Sequence, residues 1–130
     1  MNHNPQENPL ALRARRLADH LLAGLDHGGS VLVATADGFD LAFAGSRPVD
    51  RARLAAMVSS LAALGDAAGR ETGIGSTRCL VLDALGGRLV VRCLSLEGHP
   101  LTVAVLTDTS VLLGLVWNQL ARVEAMADAT

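Results

Sequence analysis

Two acidic residues, Asp37 and Asp40, lie in an otherwise apolar stretch of the chain, VLVATADGFDLAFAG. A pair of carboxylates can exchange protons or bind a metal ion, but either chemistry needs a histidine or a further carboxylate beside it. No such partner is evident. The alternative is a hairpin in which Asp37 and Gly38 form the turn, because Asp tolerates the left-handed conformation and Gly adopts it freely. We therefore predict a turn rather than a catalytic acid pair.

The segment ETGIGS, residues 71–76, contains the Gly-x-Gly pattern of some nucleotide-binding loops. A dinucleotide fingerprint follows a strand and opens a helix. This segment follows a predicted helix and precedes a strand, so we expect its glycines to end the helix.

The remaining residues that could perform chemistry show no recognisable arrangement. The histidines (His3, His20, His27, His99) lack metal-ligand spacing, and no base can be placed beside Cys79. If Gly86-Gly87 is a two-residue turn, Cys79 faces Leu94 and its thiol points away from that of Cys93. A loop one residue longer or shorter would bring the two thiols together. We predict two unpaired, buried cysteines and no catalytic residue, cofactor site or metal site.

The composition excludes several classes of function. Half of the 130 residues are hydrophobic, 18% are charged, and all 11 basic residues are Arg. A P-loop and Schiff-base chemistry both need Lys. The net charge of −2, without a basic cluster, argues against nucleic-acid binding. No apolar run reaches the roughly 20 residues of a membrane span, and the N-terminus does not resemble a signal peptide. We expect a cytoplasmic protein.

Hydrophobic periodicity predicts three helices, over residues 10–26, 50–70 and 109–126. Residues 1–9 are expected to form a flexible tail, and residues 10–127 a single domain. Asp50 is expected to cap the middle helix, and one of residues 108–110 the last helix.

Five strands are predicted between these helices. Two lie on either side of the turn in VLVATADGFDLAFAG, with Phe39, Leu41 and Phe43 on one face of the second strand. The other three are residues 78–83, 88–94 and 101–107. The hairpin connections predict an antiparallel sheet. Apolar residues occur at both odd and even positions of the strands, so both faces of the sheet must be covered. We therefore predict an α+β fold with helices on both faces of the sheet.

Two features suggest contact with another protein. One side of the middle helix carries only small residues, where a solvated helix would carry charge: Ala52, Ala56, Ser59, Ala63 and Ala67. This surface is either an accident of an Ala-rich helix or a contact between the helices of two protomers. Trp117 is expected to pack on the first helix, because Trp is usually buried; the alternative is an anchor in an interface.

The order of elements and several phrases resemble the roadblock family, named for a dynein light chain. The phrases are VLVATADGFDLAFAG, DRARLAAMVSSLAALGDAAGRETGIG, RCLVLDALGGRLVVRCL and LTVAVLTDTSVLLGLVWNQLARV, which span nearly the whole chain. The resemblance implies a five-stranded antiparallel sheet between the middle helix on one face and the terminal helices on the other. It also implies a homodimer paired through the middle helix and the edge strand 78–83, which includes Arg78 and Leu80.

The resemblance further implies a non-enzymatic partner of a Ras-like small GTPase, since bacterial family members modulate the nucleotide cycle of such GTPases through a surface that includes the paired middle helices. The family has no invariant contact motif to match, so the expected GTPase contacts are taken from this sequence alone: Arg51 and Arg53 near the start of the middle helix, and Trp117 as an interface anchor. The competing hypotheses are a small-molecule sensor domain, which the scarcity of aromatic residues disfavours, and, more remotely, a hydrolase using Asp37 or Asp40.

Overall fold

The computed structural model of the protein describes residues 8–26 and 28–128, the last of these by its backbone alone. The helices are α1 (Pro9–Gly24), α2 (Arg51–Glu71) and α3 (Leu113–Asp128). The strands are β1 (Gly29–Thr35), β2 (Asp40–Ala44), β3 (Cys79–Ala84), β4 (Gly87–Leu96) and β5 (His99–Thr107). This is the predicted order of elements.

The five strands form one antiparallel sheet in the order β2-β1-β5-β4-β3. Helix α2 packs on one face, and α1 and α3 pack on the other. The predicted fold class is therefore confirmed. Strands β2 and β3 are the two edges of the sheet, so each has one side without a neighbouring strand.

The face covered by α1 and α3 contains the larger core. Leu21 and Leu120 are fully buried there against Val33 and Val103 of the sheet. Helix α1 begins where the side chain of Asn8 accepts hydrogen bonds from the next turn, and Pro9 suits a first helical position because it needs no amide partner. Residues 8 and 9, included in the predicted tail, thus form the start of α1, while residues 1–7 lie outside the described part of the chain.

The α2 face contains a smaller core. Ala55 and Val58 of the helix lie fully buried against Leu32 and Ala34 of β1 and Ala104 of β5. Small side chains on the strands allow the helix axis to approach closely, and they leave less apolar area to bury. The α2 layer is consequently held by fewer buried side chains than the layer of α1 and α3.

The first hairpin differs from the prediction. Its connection runs over residues 36–39, and only Gly38 has a positive φ, of 98°. A register shift in the β1–β2 pairing turns Leu41 toward α1 and α3, while Phe43 packs on the α2 side. Phe39, expected on the strand, is 68% exposed in the loop. The prediction that these three side chains share a strand face is therefore wrong.

The β3–β4 hairpin turns one residue earlier than predicted, at Leu85-Gly86, because Ala84 pairs with Gly87. Cys79 consequently lies opposite Arg92 rather than Leu94. The partner of Cys79 is displaced by two positions. Because side chains alternate between the two faces of a sheet, this leaves each side chain on its predicted face, and the two thiols still lie on opposite faces. Both cysteines are free, as predicted, but Cys79 is half-buried and Cys93 is exposed, so the prediction that they are buried is wrong.

The last helix begins at Leu113, four residues later than predicted. The segment before it is a loop in which the Asp108 carboxylate accepts hydrogen bonds from the amide and hydroxyl of Ser110. These bonds lower the pKa of Asp108. The short-range bonds compete with helix formation, which explains the late start.

Candidate interaction surface

The start of α2 is fixed to the sheet by polar contacts. The Asp50 carboxylate accepts a 3.1 Å hydrogen bond from the amide of Arg53, which confirms the predicted cap. The Arg51 guanidinium pairs with Asp40 of β2 at 3.3 Å and lies 5.8 Å from the ring centre of Phe43. Asp40, suspected at first of acid chemistry, therefore has a structural partner.

The end of α2 lies close to the loop that leads into β3. A Cβ at Gly65 would lie 2.6 Å from Leu80 Cδ1, so a larger residue at this position would require the Leu80 side chain to move. The Asp66 carboxylate accepts a 2.8 Å hydrogen bond from the amide of Thr77. The amides of Ile74 and Gly75 both donate to the carbonyl of Gly69, which confirms that the Gly-x-Gly segment ends a helix.

The small residues singled out in the sequence occupy the side of α2 away from the sheet, apart from Ser59. Four of them are exposed: Ala52, Ala56, Ala63 and Ala67. Ser59 is half-buried, and its hydroxyl donates a 2.8 Å hydrogen bond to the carbonyl of Ala36. Ser59 thus connects α2 to the first hairpin within the protomer.

The structure exposes large apolar residues that the sequence analysis did not single out as surface residues. Met57 is 55% exposed and Leu64 is 66% exposed, although both are large apolar side chains on a helix that packs on the sheet. In β3, Leu82 is 56% exposed on the α2 side. The sequence shows that α2 carries many apolar residues, but it could not show which of them the sheet covers.

The predicted interface residues of the edge strand differ in their surroundings. Arg78 is exposed just before β3 begins. Leu80 is half-buried and packs against the small core under α2. Both lie beside the open edge of the sheet, where the polar backbone groups of β3 have no neighbouring strand.

The residues expected to contact a GTPase are not equally accessible. Arg53 is exposed on the first turn of α2, whereas Arg51 is held by Asp40. Trp117 is 44% exposed and lines a groove with Ile74, Arg78 and the end of α2. It therefore lies at the open edge of the sheet rather than in a buried contact with α1, contrary to the favoured prediction.

Comparison with known proteins places this architecture in a family. A sequence profile described as the Roadblock/LC7 domain matches residues 17–92, from α1 to β4. The chain belongs to the Roadblock/LC7 domain family. No curated protein matches the sequence.

Solved roadblock structures share the fold at low sequence identity. Myxococcus xanthus MglB superposes with a TM-score of 0.78 at 14% identity, covering 96% of this chain and 90% of that one. A gliding protein MglB from Thermus thermophilus gives 0.76 at 20% identity, covering 100% and 96%. A Roadblock/LC7 domain from Streptomyces avermitilis gives 0.75 at 23% identity, covering 88% and 93%. At these identities the similarity establishes the fold alone.

Within this roadblock fold, the residue types capable of catalysis remain dispersed. Asp37 is exposed in the first turn, and His20 and His99 are exposed on α1 and at the start of β5; His3 and His27 lie outside the described residues. Over residues 8–26 and 28–128, no group of three or more His, Cys, Asp and Glu residues could hold a metal ion.

The cysteines likewise lack a reactive environment. Burial raises the pKa of both the Cys79 and the Cys93 thiol, which disfavours the nucleophilic thiolate.

Within residues 8–26 and 28–128, no helix is both long enough and apolar enough to cross a membrane.

Proposed function

We propose that the chain is a homodimeric, non-enzymatic regulator or scaffold that binds a Ras-like small GTPase in the cytoplasm and modulates its nucleotide cycle or its localisation. Residues 10–127 form the single roadblock domain of this proposal. The observation that carries it is the apolar surface of α2 beside an unpaired β3 edge. Membership of the roadblock family supports the class of partner.

The dimer is proposed to form through the outer side of α2 and the edge of β3. Met57, Leu64 and Leu82 are each more than half exposed there, and full burial of such a side chain contributes about 1.5–3 kcal/mol. The small side chains of Ala56 and Ala63 allow a second helix to approach closely, at an interaxial distance of about 8–10 Å. The proposed interface residues are Ala52, Ala56, Ser59, Ala63, Ala67, Arg78 and Leu80.

Two further observations support self-association. Pairing of β3 with its copy would satisfy the backbone groups that the open edge leaves without partners. One of the similar structures, an MglB at 24% identity and a TM-score of 0.76, is described as having a tetrameric arrangement. Its likeness to this chain supports the idea that roadblock surfaces of this kind associate.

The GTPase is proposed to contact Arg51, Arg53 and Trp117. Among these, Arg53 has no ion-pair partner in the described part of the chain, so its guanidinium is available to a carboxylate of a partner. Arg51 would first have to leave Asp40. We therefore expect Arg53 to contribute more to GTPase binding than Arg51.

The dimer surface is tested by Ala63→Arg, which places a long charged side chain on the outer side of α2. Sedimentation velocity should show the wild-type chain as a dimer and the variant shifted toward monomer. The matched control is Ala125→Arg, the same substitution at an exposed position of α3. A variant that remains a dimer like its control would contradict this choice of surface.

Binding of a GTPase is tested with purified Ras-like GTPases from the genome that encodes the chain, each loaded with GDP or with a non-hydrolysable GTP analogue. Interferometry should show nucleotide-dependent binding to one of them, with weaker binding by Arg53→Ala. Arg122→Ala, on the exposed side of α3, is the control. Absence of binding to every GTPase in either state would defeat the proposal.

A small-molecule sensor is the alternative, and one feature favours it. A groove of about 430 Å³ between α1 and α3 combines Arg16, and Arg13 in an ion pair with Glu97, with the apolar side chains of Leu17, Val123 and Met126. An anionic amphiphile would suit such a lining. Thermal-shift screening of small organic anions tests it: a saturable rise in Tm that Arg16→Ala abolishes would support the sensor.

A further inference from the structure

A groove of about 490 Å³ lies at the open edge of the sheet, where the end of α2 and the following loop meet β3 and α3. Its apolar lining comes from Ala68, Ile74, Cys79, Leu80 and Trp117. Ile74 is 84% exposed and Trp117 is 44% exposed. In an isolated protomer the groove therefore presents an aromatic ring and a branched aliphatic side chain to water.

Another exposed apolar residue lies at the end of β3 that is opposite the groove. Leu85 occupies the β3–β4 turn and is fully exposed, with a relative exposure of 103%. The next residue, Gly86, has open space around the position where a Cβ would lie. The hairpin tip thus projects away from its own protomer. A leucine at such a position is unusual, because hairpin turns favour Gly, Asn and Asp.

Symmetry relates the groove to the hairpin tip. Strand β3 spans residues 79–84, and residues opposite each other in an antiparallel pair point to the same face, so a two-fold axis must pair a central residue with its own copy, either Val81 with Val81 or Leu82 with Leu82. Leu85 of one protomer then lies opposite Thr77 of the partner subunit in the first register and opposite Cys79 of the partner subunit in the second. Thr77 and Cys79 both line the groove, and neighbouring strands are separated by only about 4.8 Å. The partner's hairpin tip then reaches the groove.

We propose that each groove is completed by the second copy of the chain, whose Leu85 inserts between Ile74 and Trp117. This inference rests on the proposed homodimer and adds a specific occupant to its edge. The dimer contains two equivalent contacts of this kind, one at each end of the paired strands. Trp117 acts as the aromatic wall of the pocket, a role in which Trp is strongly enriched at protein interfaces.

The first test replaces either side of the contact with a charge. Leu85→Glu and Ile74→Arg should each weaken the homodimer by about 10-fold per groove, hence roughly 100-fold for two grooves, as expected for losing burial of one apolar side chain in each. Both residues are exposed in the protomer, so far-UV circular dichroism should remain that of the wild type. Leu12→Glu, an exposed leucine on α1, is the matched control and should leave the dimer unchanged.

The second test uses the symmetry of the pair. In a heterodimer of Ile74→Arg with Leu85→Glu, one groove contains the new Arg and Glu together, and the other contains the native residues. Each homodimer instead contains two damaged grooves. Native mass spectrometry of an equimolar mixture should therefore show heterodimer well above the statistical half. A statistical or smaller share would overturn the inference.

The third test uses fluorescence, because the chain contains one Trp and no Tyr. Dilution through the dissociation range should shift the emission of Trp117 to longer wavelength as the partner's leucine leaves the groove. Leu85→Ala should show the dissociated spectrum even where sedimentation still finds a dimer. A wild-type dimer whose emission is insensitive to Leu85→Ala contradicts the groove contact and leaves the dimer intact. A wild-type chain that is monomeric contradicts the proposed dimer itself.

Discussion

The two faces of the sheet are covered in different ways. On one face, α1 and α3 enclose fully buried leucines such as Leu21 and Leu120. On the other, α2 buries chiefly Ala55 and Val58 and leaves Met57 and Leu64 more than half exposed. The first face is a closed hydrophobic core, and the second is covered by a helix whose apolar surface exceeds what the sheet can cover.

This difference separates the requirements of folding from those of association. Apolar area removed from water within the protomer stabilises the fold, whereas area left exposed stabilises only a complex. An exposed apolar patch on a folded domain marks an interaction site more often than an accident. The α1 and α3 face thus supplies most of the stability, and α2 with the β3 edge is the surface that we propose for a partner.

The largest expected effect comes from truncating one leucine on each face. Leu21→Ala removes a fully buried side chain and should lower the free energy of unfolding by about 2–5 kcal/mol. Leu64→Ala, at a 66% exposed position, should change protomer stability by less than about 0.5 kcal/mol. Urea denaturation measures both changes, at a protein concentration well below the dissociation constant of the proposed dimer. Equal losses would show that the two faces do not differ as described.

A smaller effect is expected from adding a methyl group to one glycine in each region. A Cβ at Gly69 would collide with the carbonyl of Gly75, so Gly69→Ala should destabilise the chain by about 1–3 kcal/mol despite the better helix propensity of Ala. Gly114 in α3 has no atom within 4 Å of that position.

Gly114→Ala should therefore stabilise the chain by up to about 1 kcal/mol, the helix propensity difference between the two residues. Thermal unfolding of both variants, followed by circular dichroism, measures the pair. A neutral or stabilising Gly69→Ala would mean that the loop after α2 yields easily, and that the end of this helix is not held as closely as the contacts indicate.

The smallest effect concerns the thiols, one on each face. Burial raises the pKa of Cys79 and of Cys93, so less thiolate is present at pH 8 than in a free thiol, and alkylation should be slower. Rates should continue to rise with pH beyond the ordinary thiol range, with the exposed Cys93 reacting faster than Cys79. Mass spectrometry after timed iodoacetamide treatment resolves the two sites. A faster reaction at Cys79 would reverse the expected order.

Sequence reasoning predicted the order of elements because apolar periodicity and turn residues depend on local chemistry. It located the cap at Asp50 and the helix-ending glycines for the same reason. It misplaced the β3–β4 turn by one residue, because Leu85-Gly86 and Gly86-Gly87 are both short enough to close a hairpin. Apolar periodicity cannot choose between them, because the two registers differ by two positions and leave every side chain on the same face of the sheet.

The candidate surface was predictable only in part. The small residues of α2 showed that one side is unlike a solvated helix, and four of them are exposed. Met57 and Leu64 could not be placed, because an apolar arc wider than its contact with the sheet does not reveal where the contact ends. Trp117 was assigned by the average behaviour of its residue type, whereas its actual exposure depends on how α3 lies across the edge of β3.

The register shift in the first hairpin has a consequence for assembly size. Strand β2 is five residues long, irregularly paired with β1, and begins with the charged Asp40. Short length, a bulge and a charge each make a strand edge a poor template for another chain. Of the two edges, only β3 is then suited to pairing with a copy of itself. In the proposed dimer, sheet extension should consequently stop after one pairing event, giving a closed pair of ten strands rather than an open-ended fibril.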